Sequence, residues 1–118
     1  MARILLADDD RGMLDTARRA LELDGHKVST ADDGAEARAK IGAGGGFDVL
    51  VADVQMPGLD GVTLARQALA TGGGIKVVLM SGHAEALEQA KSIPGVQTIA
   101  KPFQIDQLRA VVRAALGG

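Results

Sequence analysis

Carboxylate, hydroxyl and ammonium side chains follow four of the apolar runs in this chain of 118 residues. Three acids, Asp8–Asp10, follow the first run, Asp53 follows the third, Ser81 the fourth and Lys101 the fifth. Crowded carboxylates repel one another, and a hard dication such as Mg²⁺, which prefers oxygen ligands, relieves that repulsion. A carboxylate can also attack phosphorus, while a metal, a lysine and a hydroxyl neutralise charge on a phosphoryl group. These residue types are therefore the set needed to form an aspartyl phosphate.

Each of these residues also has an ordinary structural interpretation when it is considered alone. Asp10 is well placed to cap a helix, and Asp53 could cap a turn. Ser81 alone is more often a helix cap, and Lys101 alone is usually a solvated surface lysine. Pro102 fixes the turn after Lys101, which makes that position less ordinary. The chemical interpretation rests on whether the fold brings the four positions together.

The pattern of the whole chain predicts that they do meet. Apolar or β-branched runs alternate with helical periodicity, which predicts a (βα)5 chain with a parallel sheet covered on both faces. Right-handed crossovers then restrict the fold to a doubly wound sheet, in which ligands bind at the carboxyl ends of the strands. Glycine-rich stretches at 42–46 and 72–74 are predicted to be helix-to-strand turns, since neither ends in the Lys-Ser/Thr of a phosphate loop. The predicted strands are Arg3–Ala7, Lys27–Thr30, Phe47–Ala52, Ile75–Met80 and Val96–Ala100.

Composition excludes several other classes of protein. The net charge is −2 with no basic tract, so nothing predicts binding to nucleic acid. The absence of cysteine excludes a disulfide framework and a thiolate metal site. No apolar run is long enough to cross a membrane, and the N-terminus lacks the features of a signal peptide. We therefore expect a cytoplasmic protein of one domain, with a core built from aliphatic side chains because only two phenylalanines are present.

Four segments of the chain resemble the receiver domain of two-component response regulators, the CheY-like family, in both order and spacing. The resemblance extends over nearly the whole chain and implies a flavodoxin-like five-stranded sheet with strand order 2-1-3-4-5. It also implies a switch that accepts a phosphoryl group from a phosphohistidine. The matching segments are ILLADDD (Ile4–Asp10), DVLVADVQMPGLDG (Asp48–Gly61), VVLMSGH (Val77–His83) and IAKPF (Ile99–Phe103).

The resemblance implies a Mg²⁺ site and assigns its ligands position by position. Asp9 would be a direct carboxylate ligand of Mg²⁺, and Asp8 would assist through water. Asp53 would contribute its side chain, and Gln55 would contribute its backbone carbonyl. The cofactor that the resemblance predicts is therefore Mg²⁺.

The resemblance also implies the residues that act on the phosphoryl group. Asp53 would be the phosphoacceptor, Ser81 would move towards the phosphoryl group and hydrogen-bond it, and Lys101 would pair with it. The donor would be a sensor histidine kinase or a histidine phosphotransferase. The chain would catalyse only its own phosphorylation and dephosphorylation, and it would not be an enzyme for another substrate.

The chain departs from the usual pattern of the family at three places. Thr98 stands where many members carry an aromatic switch residue. The fourth helix, near Ala84–Ser92, has a weak pattern and is followed by Pro94-Gly95. Gln55 and His83 occupy positions beside the pocket that vary in the family; His83 could bind metal or relay a proton, but a pocket-rim residue is favoured.

The output of the switch is expected to be a protein partner. No sequence follows the final helix, so we expect residues 1–118 to be a single receiver domain without an output domain. The opening and the final helix are similar to small stand-alone receivers that act as adaptors for protein turnover. Two alternatives are a phosphate-independent interaction module and a hydrolase with Asp53 as its nucleophile. The hydrolase is disfavoured because Gln55 stands where such enzymes carry a general acid, and the complete pocket disfavours the first alternative.

Overall fold

The computed structural model describes residues 2–44 and 46–117. Strands and helices alternate along the chain, as the sequence predicts. The strands are β1 Arg3–Ala7, β2 Lys27–Ala31, β3 Val49–Asp53, β4 Lys76–Ser81 and β5 Val96–Ala100. The helices are α1 Arg11–Leu23, α2 Gly34–Gly42, α3 Gly61–Ala70, α4 Ala84–Lys91 and α5 Ile105–Ala115. The two ends of the predicted domain 1–118 and the residue Gly45 within the predicted turn 42–46 lie outside the described residues.

The strands form one parallel sheet in the order β2-β1-β3-β4-β5, which confirms the predicted doubly wound topology. The bounds of two strands differ from the prediction in a way that matters for the site. β3 begins at Val49 and ends at Asp53, because Asp53 pairs with Met80 of β4. β4 likewise extends to Ser81, which pairs with Ala100 of β5. Both polar residues are therefore held by the ladder of the sheet rather than by loops.

The core consists of two aliphatic layers, one on each face of the sheet. Alternate residues of a strand point to opposite faces, so Leu5 and Leu50 pack with α2, α3 and α4, while Ile4 and Val51 pack with α1 and α5. The four side chains are fully buried. This close packing fixes the carboxyl ends of the strands relative to one another, and so fixes the residues that follow them.

Helix α4 is the shortest helix of the described chain, with eight residues, and Ala90 is its buried residue. Its N-cap residue, His83, makes no side-chain capping bond in the part of the chain that the structure describes. The weak helical pattern predicted for this segment therefore corresponds to a short and lightly anchored helix. Among residues 2–44 and 46–117, no helix combines the length and the hydropathy that a membrane crossing requires.

Candidate functional site

The predicted site residues meet at the carboxyl edge of the sheet. Asp8 directly follows β1, Asp53 ends β3, Ser81 ends β4 and Lys101 directly follows β5. The parallel ladders β1–β3, β3–β4 and β4–β5 set these four positions side by side. The Lys101–Pro102 peptide bond is cis. The structure thus brings together residues that are up to 93 positions apart in the sequence.

Lys101 lies between two carboxylates. Its Nζ donates to Asp8 Oδ2 at 2.5 Å and to Asp53 Oδ2 at 2.7 Å. The Asp8 side chain is completely buried, whereas the side chains of Asp53 and Lys101 are 13% and 25% exposed. Burial by itself lowers the pKa of Lys101, but the hydrogen bonds to Asp53 and Asp8 outweigh it and hold that pKa above its usual value of 10.5. The ammonium group is therefore firmly charged at neutral pH.

Three carboxylates form a potential metal site around this lysine. One carboxylate oxygen from each of Asp8, Asp9 and Asp53 lies within 4.8 Å of the other two. Three negative charges face one ammonium, so the cluster keeps an excess of negative charge that a dication would neutralise. Carboxylate oxygens are the ligands that Mg²⁺ prefers, so the donor set fits that ion.

The three acids differ in how far the protein already satisfies them. Asp8 Oδ1 accepts from the Asp10 N–H at 2.9 Å and Oδ2 accepts from Lys101, so both of its oxygens are engaged. Asp9 is exposed to solvent. Asp9, predicted to bind the metal directly, is thus the more accessible of the two acids, and Asp8, predicted to assist through water, is the more engaged. Asp10 caps α1, since its Oδ1 accepts from the Met13 N–H at 3.1 Å, which confirms its predicted structural role.

The loop after the acceptor, residues 54–60, begins with a turn that is closed by the acceptor itself. Asp53 Oδ1 accepts from the Gln55 N–H at 2.9 Å, so one oxygen of Asp53 faces this loop while the other faces Lys101. The Val54 N–H donates to the Met80 carbonyl and continues the ladder by one residue. Gln55 is exposed at the rim of the site, directly beside the acceptor.

Ser81 lies at the predicted edge, but its hydroxyl makes a local contact. The side chain is 1% exposed, and Oγ accepts from the His83 N–H at 3.0 Å. The Ser81 carbonyl accepts from the Lys101 N–H at 2.8 Å, so Ser81 is bonded to the backbone of Lys101 rather than to its ammonium group. His83 is exposed on the rim. The sequence predicted both residues beside the pocket, but it did not predict the turn in which the Ser81 hydroxyl accepts from the His83 N–H.

Two clefts border the acceptor loop and meet at Gln55 and Gln89. One has a volume of about 800 Å³ and the other about 700 Å³. Gln89 lies on α4, and the weak helical pattern of that segment did not predict that it would line these clefts. Asp60 and Thr63, which also line the larger cleft, belong to the N-terminus of α3. A third cavity of about 520 Å³ is lined by Asp10, Met13, Gly82, Lys101, Pro102 and Phe103.

The strand order, the two aliphatic layers and the acidic edge define a CheY-like α/β fold. The family model of the response regulator receiver domain matches residues 4–113, and the chain belongs to this family. It is 36% identical over 116 residues to response regulator MprA of Mycobacterium avium (strain 104) and to that of Mycobacterium tuberculosis (strain CDC 1551 / Oshkosh). Each match covers 97% of this chain and 50% of the relative, so the chain spans about half the length of these curated relatives.

Solved structures give the same result. A response regulator receiver protein from Sinorhizobium medicae WSM419 superposes with a TM-score of 0.90 at 30% identity, covering 99% of this chain and 95% of that one. The chemotaxis response regulator CheY4 of Vibrio cholerae superposes with a TM-score of 0.88 at 26% identity, covering 98% and 99%. The receiver domain of the hybrid histidine kinase CckA gives 0.77 at 33% identity, covering 97% and 98%.

These comparisons place the chain in two-component signalling as the receiver domain of a response regulator. Receiver domains are in general signalling modules rather than enzymes, they interact with histidine kinases or phosphotransfer proteins, and they typically bind Mg²⁺ at an acidic pocket. The predicted family and fold are therefore confirmed.

Proposed function

We propose that this receiver accepts a phosphoryl group on Asp53 from the phosphohistidine of a sensor histidine kinase or a histidine phosphotransferase. The observation that carries the proposal is the position of the Lys101 ammonium, which bonds both Asp53 and the buried Asp8 at an edge where three carboxylates converge. A lysine in an ordinary surface ion pair would not bond a fully buried carboxylate in this way.

The chemistry proposed for Asp53 is a direct displacement at phosphorus. A carboxylate oxygen of Asp53 forms the new bond to phosphorus as the bond from phosphorus to the donor's imidazole nitrogen breaks, and the nitrogen keeps that electron pair. Lys101 is placed to follow the phosphoryl oxygens, because its Nζ already bonds the attacking carboxylate. Ser81 Oγ accepts from a backbone N–H, which leaves its own hydrogen to donate to a phosphoryl oxygen after a rotation.

The metal ligands proposed are the carboxylates of Asp8, Asp9 and Asp53 and the backbone carbonyl of Gln55, with Asp8 acting through water. A bound Mg²⁺ would supply positive charge that offsets the negative charge of the phosphoryl oxygens. Without a cation, the acids of the cluster repel both one another and an incoming phosphate. We therefore expect modification of Asp53 to depend on the metal.

The output proposed is a change in the surface around Ser81 and Lys101. If Ser81 turns from the His83 N–H to the phosphoryl group, the start of α4 loses a contact, and α4 is already lightly anchored. Such a shift between two states would alter binding of a downstream protein partner, for which a role in protein turnover is one option. Thr98, half-buried in β5, carries no aromatic ring, so the site is not coupled to this surface by a swinging ring at that position. A cytoplasmic location belongs to the same proposal.

The test is intact-mass spectrometry after incubation with Mg²⁺ and acetyl phosphate. Wild type and Asp106→Asn should each gain one phosphoryl group, whereas Asp53→Asn should gain none. Asp106 is the matched control because it is an aspartate with a side chain that is 86% exposed, on α5. Chelation of the metal should abolish the gain in both competent proteins.

Two results would contradict the proposal. Stoichiometric labelling of Asp53→Asn would show that another residue is the acceptor. A wild type that neither gains mass nor binds beryllofluoride would have an inactive pocket, and equal partner affinity with and without phosphate would then favour a phosphate-independent adaptor with the receiver fold.

A further inference from the structure

Two glycines hold the acceptor loop, residues 54–60, from opposite sides. Gly34 is the first residue of α2 and Gly61 is the first residue of α3, and an aspartate caps each helix directly before the glycine. The Gly34 N–H donates to the Pro57 carbonyl at 3.0 Å, and the Gly61 N–H donates to the Val54 carbonyl at 2.8 Å. The loop that carries Gln55 is therefore bonded at its start to α3 and at its middle to α2.

Neither glycine leaves room for a side chain. A Cβ atom built on Gly34 would lie 2.1 Å from the Leu59 carbonyl oxygen and 2.8 Å from the Leu59 carbonyl carbon. A Cβ atom on Gly61 would lie 2.3 Å from the Asp53 carbonyl oxygen. The neighbours are backbone atoms and, for Gly34, also the Leu59 Cβ at 2.7 Å, which is fixed to the backbone. None of them can move aside in the way that the end of a long side chain can.

Backbone conformation does not explain the two glycines. The φ angles of Gly34 and Gly61 lie outside the left-handed region, so the backbone would accept any residue. Alanine is also a better helix former than glycine. The close approach of the loop is the physical reason for glycine at these two positions.

We propose that Gly34 is a positioning residue for the acceptor site, although it does not touch Asp53 itself. This inference rests on the function proposed above for Asp53. Gly34 acts through the loop, because it lets Pro57 and Leu59 lie close to the backbone of α2. The position of the loop in turn determines the position of Gln55, whose N–H donates to Asp53 Oδ1 at 2.9 Å. A methyl group at position 34 would lift this loop away and move both the carbonyl and the amide of Gln55.

The loop is the side that yields because α2 is bonded to β2 and to the residue that follows β2. Lys40 Nζ donates to the Thr30 carbonyl at 2.5 Å, and the Asp32 N–H donates to Glu36 Oε1 at 2.8 Å. The acceptor loop, in contrast, is exposed at most of its positions, including Gln55. A displacement of the loop therefore breaks fewer contacts than a displacement of the whole helix.

The experiment compares Gly34→Ala with Gly42→Ala by NMR at a temperature at which both variants are folded. Gly42 is the last residue of the same helix, and a Cβ atom there would meet nothing within 4 Å, so the substitution is the same without the contact. The dissociation constant for Mg²⁺ is measured from a titration of amide shifts. We expect Gly34→Ala to raise it about 10- to 100-fold, the loss typical of groups that orient metal ligands, and Gly42→Ala to leave it unchanged.

The amide resonance of Gln55 in metal-free protein gives a second readout that a loss of stability alone would not move. It should shift in Gly34→Ala and stay in place in Gly42→Ala. An unchanged Mg²⁺ affinity together with an unchanged Gln55 resonance in Gly34→Ala would overturn the proposal, because α2 would then have absorbed the methyl group.

Wild-type protein decides the matter if Gly34→Ala does not fold. If the loop links Gly34 to the site, Mg²⁺ should slow hydrogen exchange of the Gly34 amide but not that of the Ala43 amide, which donates to Ala39 at the far end of α2. Equal effects on the two amides would refute the link. A wild type that does not bind Mg²⁺ would instead refute the proposed function. If Gly34→Ala folds, its Gln55 resonance in the metal-free protein would still show whether Gly34 positions the loop.

Discussion

Replacing Lys101 by methionine removes the ammonium group that lies between Asp8 and Asp53 but keeps most of the aliphatic stem. The Asp8 carboxylate is fully buried and would keep only its bond from the Asp10 N–H. Removing one partner of a buried ion pair costs about 3–5 kcal/mol, because an unpaired charge stays in the interior. Since Lys101 is 25% exposed, water can replace part of its effect. We expect Lys101→Met to lower the free energy of unfolding by about 3 kcal/mol, at the low end of that range.

Urea unfolding at neutral pH, in the presence of a chelator, measures this cost. The double variant Asp8→Asn with Lys101→Met should be more stable than the sum of the two single changes predicts, because it leaves no buried charge unpaired. A cost for Lys101→Met below about 1 kcal/mol would refute the reasoning, since that is the value of an exposed ion pair. The reasoning would also be refuted if the costs of Asp8→Asn and Lys101→Met simply added up in the double variant.

The pH dependence of the same difference follows from the raised pKa of Lys101. The stabilisation by its charge is fully present below the usual value of 10.5 and is lost as the pH rises through the higher pKa of the folded state. The gap between wild type and Lys101→Met should therefore be constant from neutral pH to about 10 and close only in stronger alkali. A gap that closes near neutral pH would contradict this assignment.

Three further changes test other parts of the fold. Leu64→Ala removes a fully buried side chain and should lower the free energy of unfolding, measured with urea, by about 2–5 kcal/mol. Leu23→Ala, at a side chain that is 87% exposed, should lower it by less than about 0.5 kcal/mol. Asp60→Ala removes the N-cap of α3 and should lower the free energy of unfolding by about 1 kcal/mol. The hydrogen bond from the Thr63 N–H lowers the pKa of Asp60, so this difference should vanish as the pH falls through that pKa, below 3.8. Arg109→Gln breaks the two hydrogen bonds of 2.5 and 2.8 Å to Asp24 and should lower the midpoint of thermal unfolding. The hydrogen bond from Arg109 lowers the pKa of Asp24, so the difference in midpoint should disappear as the pH falls through that pKa, below 3.8. A difference that persists there would refute the ion pair as its cause.

The fold was predictable because strand and helix signals alternate strongly. The runs that became β1, β3 and β4 are almost entirely apolar, which is typical of parallel strands buried on both faces. Once the sheet is parallel, the rule that ligands bind at the carboxyl ends selects Asp8, Asp53, Ser81 and Lys101 without any structure. The errors in strand bounds were one or two residues, since periodicity does not define where pairing stops.

The finer geometry of the site was not predictable, because it depends on contacts between distant segments. Nothing local in the sequence distinguishes Asp8, which is buried beneath Lys101, from its exposed neighbour Asp9. The bond between Ser81 Oγ and the His83 N–H depends on how β4 ends. The approach of Leu59 to Gly34 joins the acceptor loop to the start of α2, so the glycine could be explained only after both segments had been placed.

The two edges of the sheet carry a consequence for solubility. β2 and β5 are the edge strands, and among residues 2–44 and 46–117 each has one side that pairs with no other strand. Another chain could add at that side by backbone pairing. Both are only five residues long and carry polar side chains: Ser29 and Thr30 in β2, and Gln97 and Thr98 in β5. The apolar strands β3 and β4, which are the natural seeds of intermolecular sheet, have neighbours on both sides. Exposure of β3 or β4 to another chain therefore requires the β2–β1 pair or β5 to detach first. The stability of the outer strands thus limits how readily these two apolar strands can start an amyloid-like assembly.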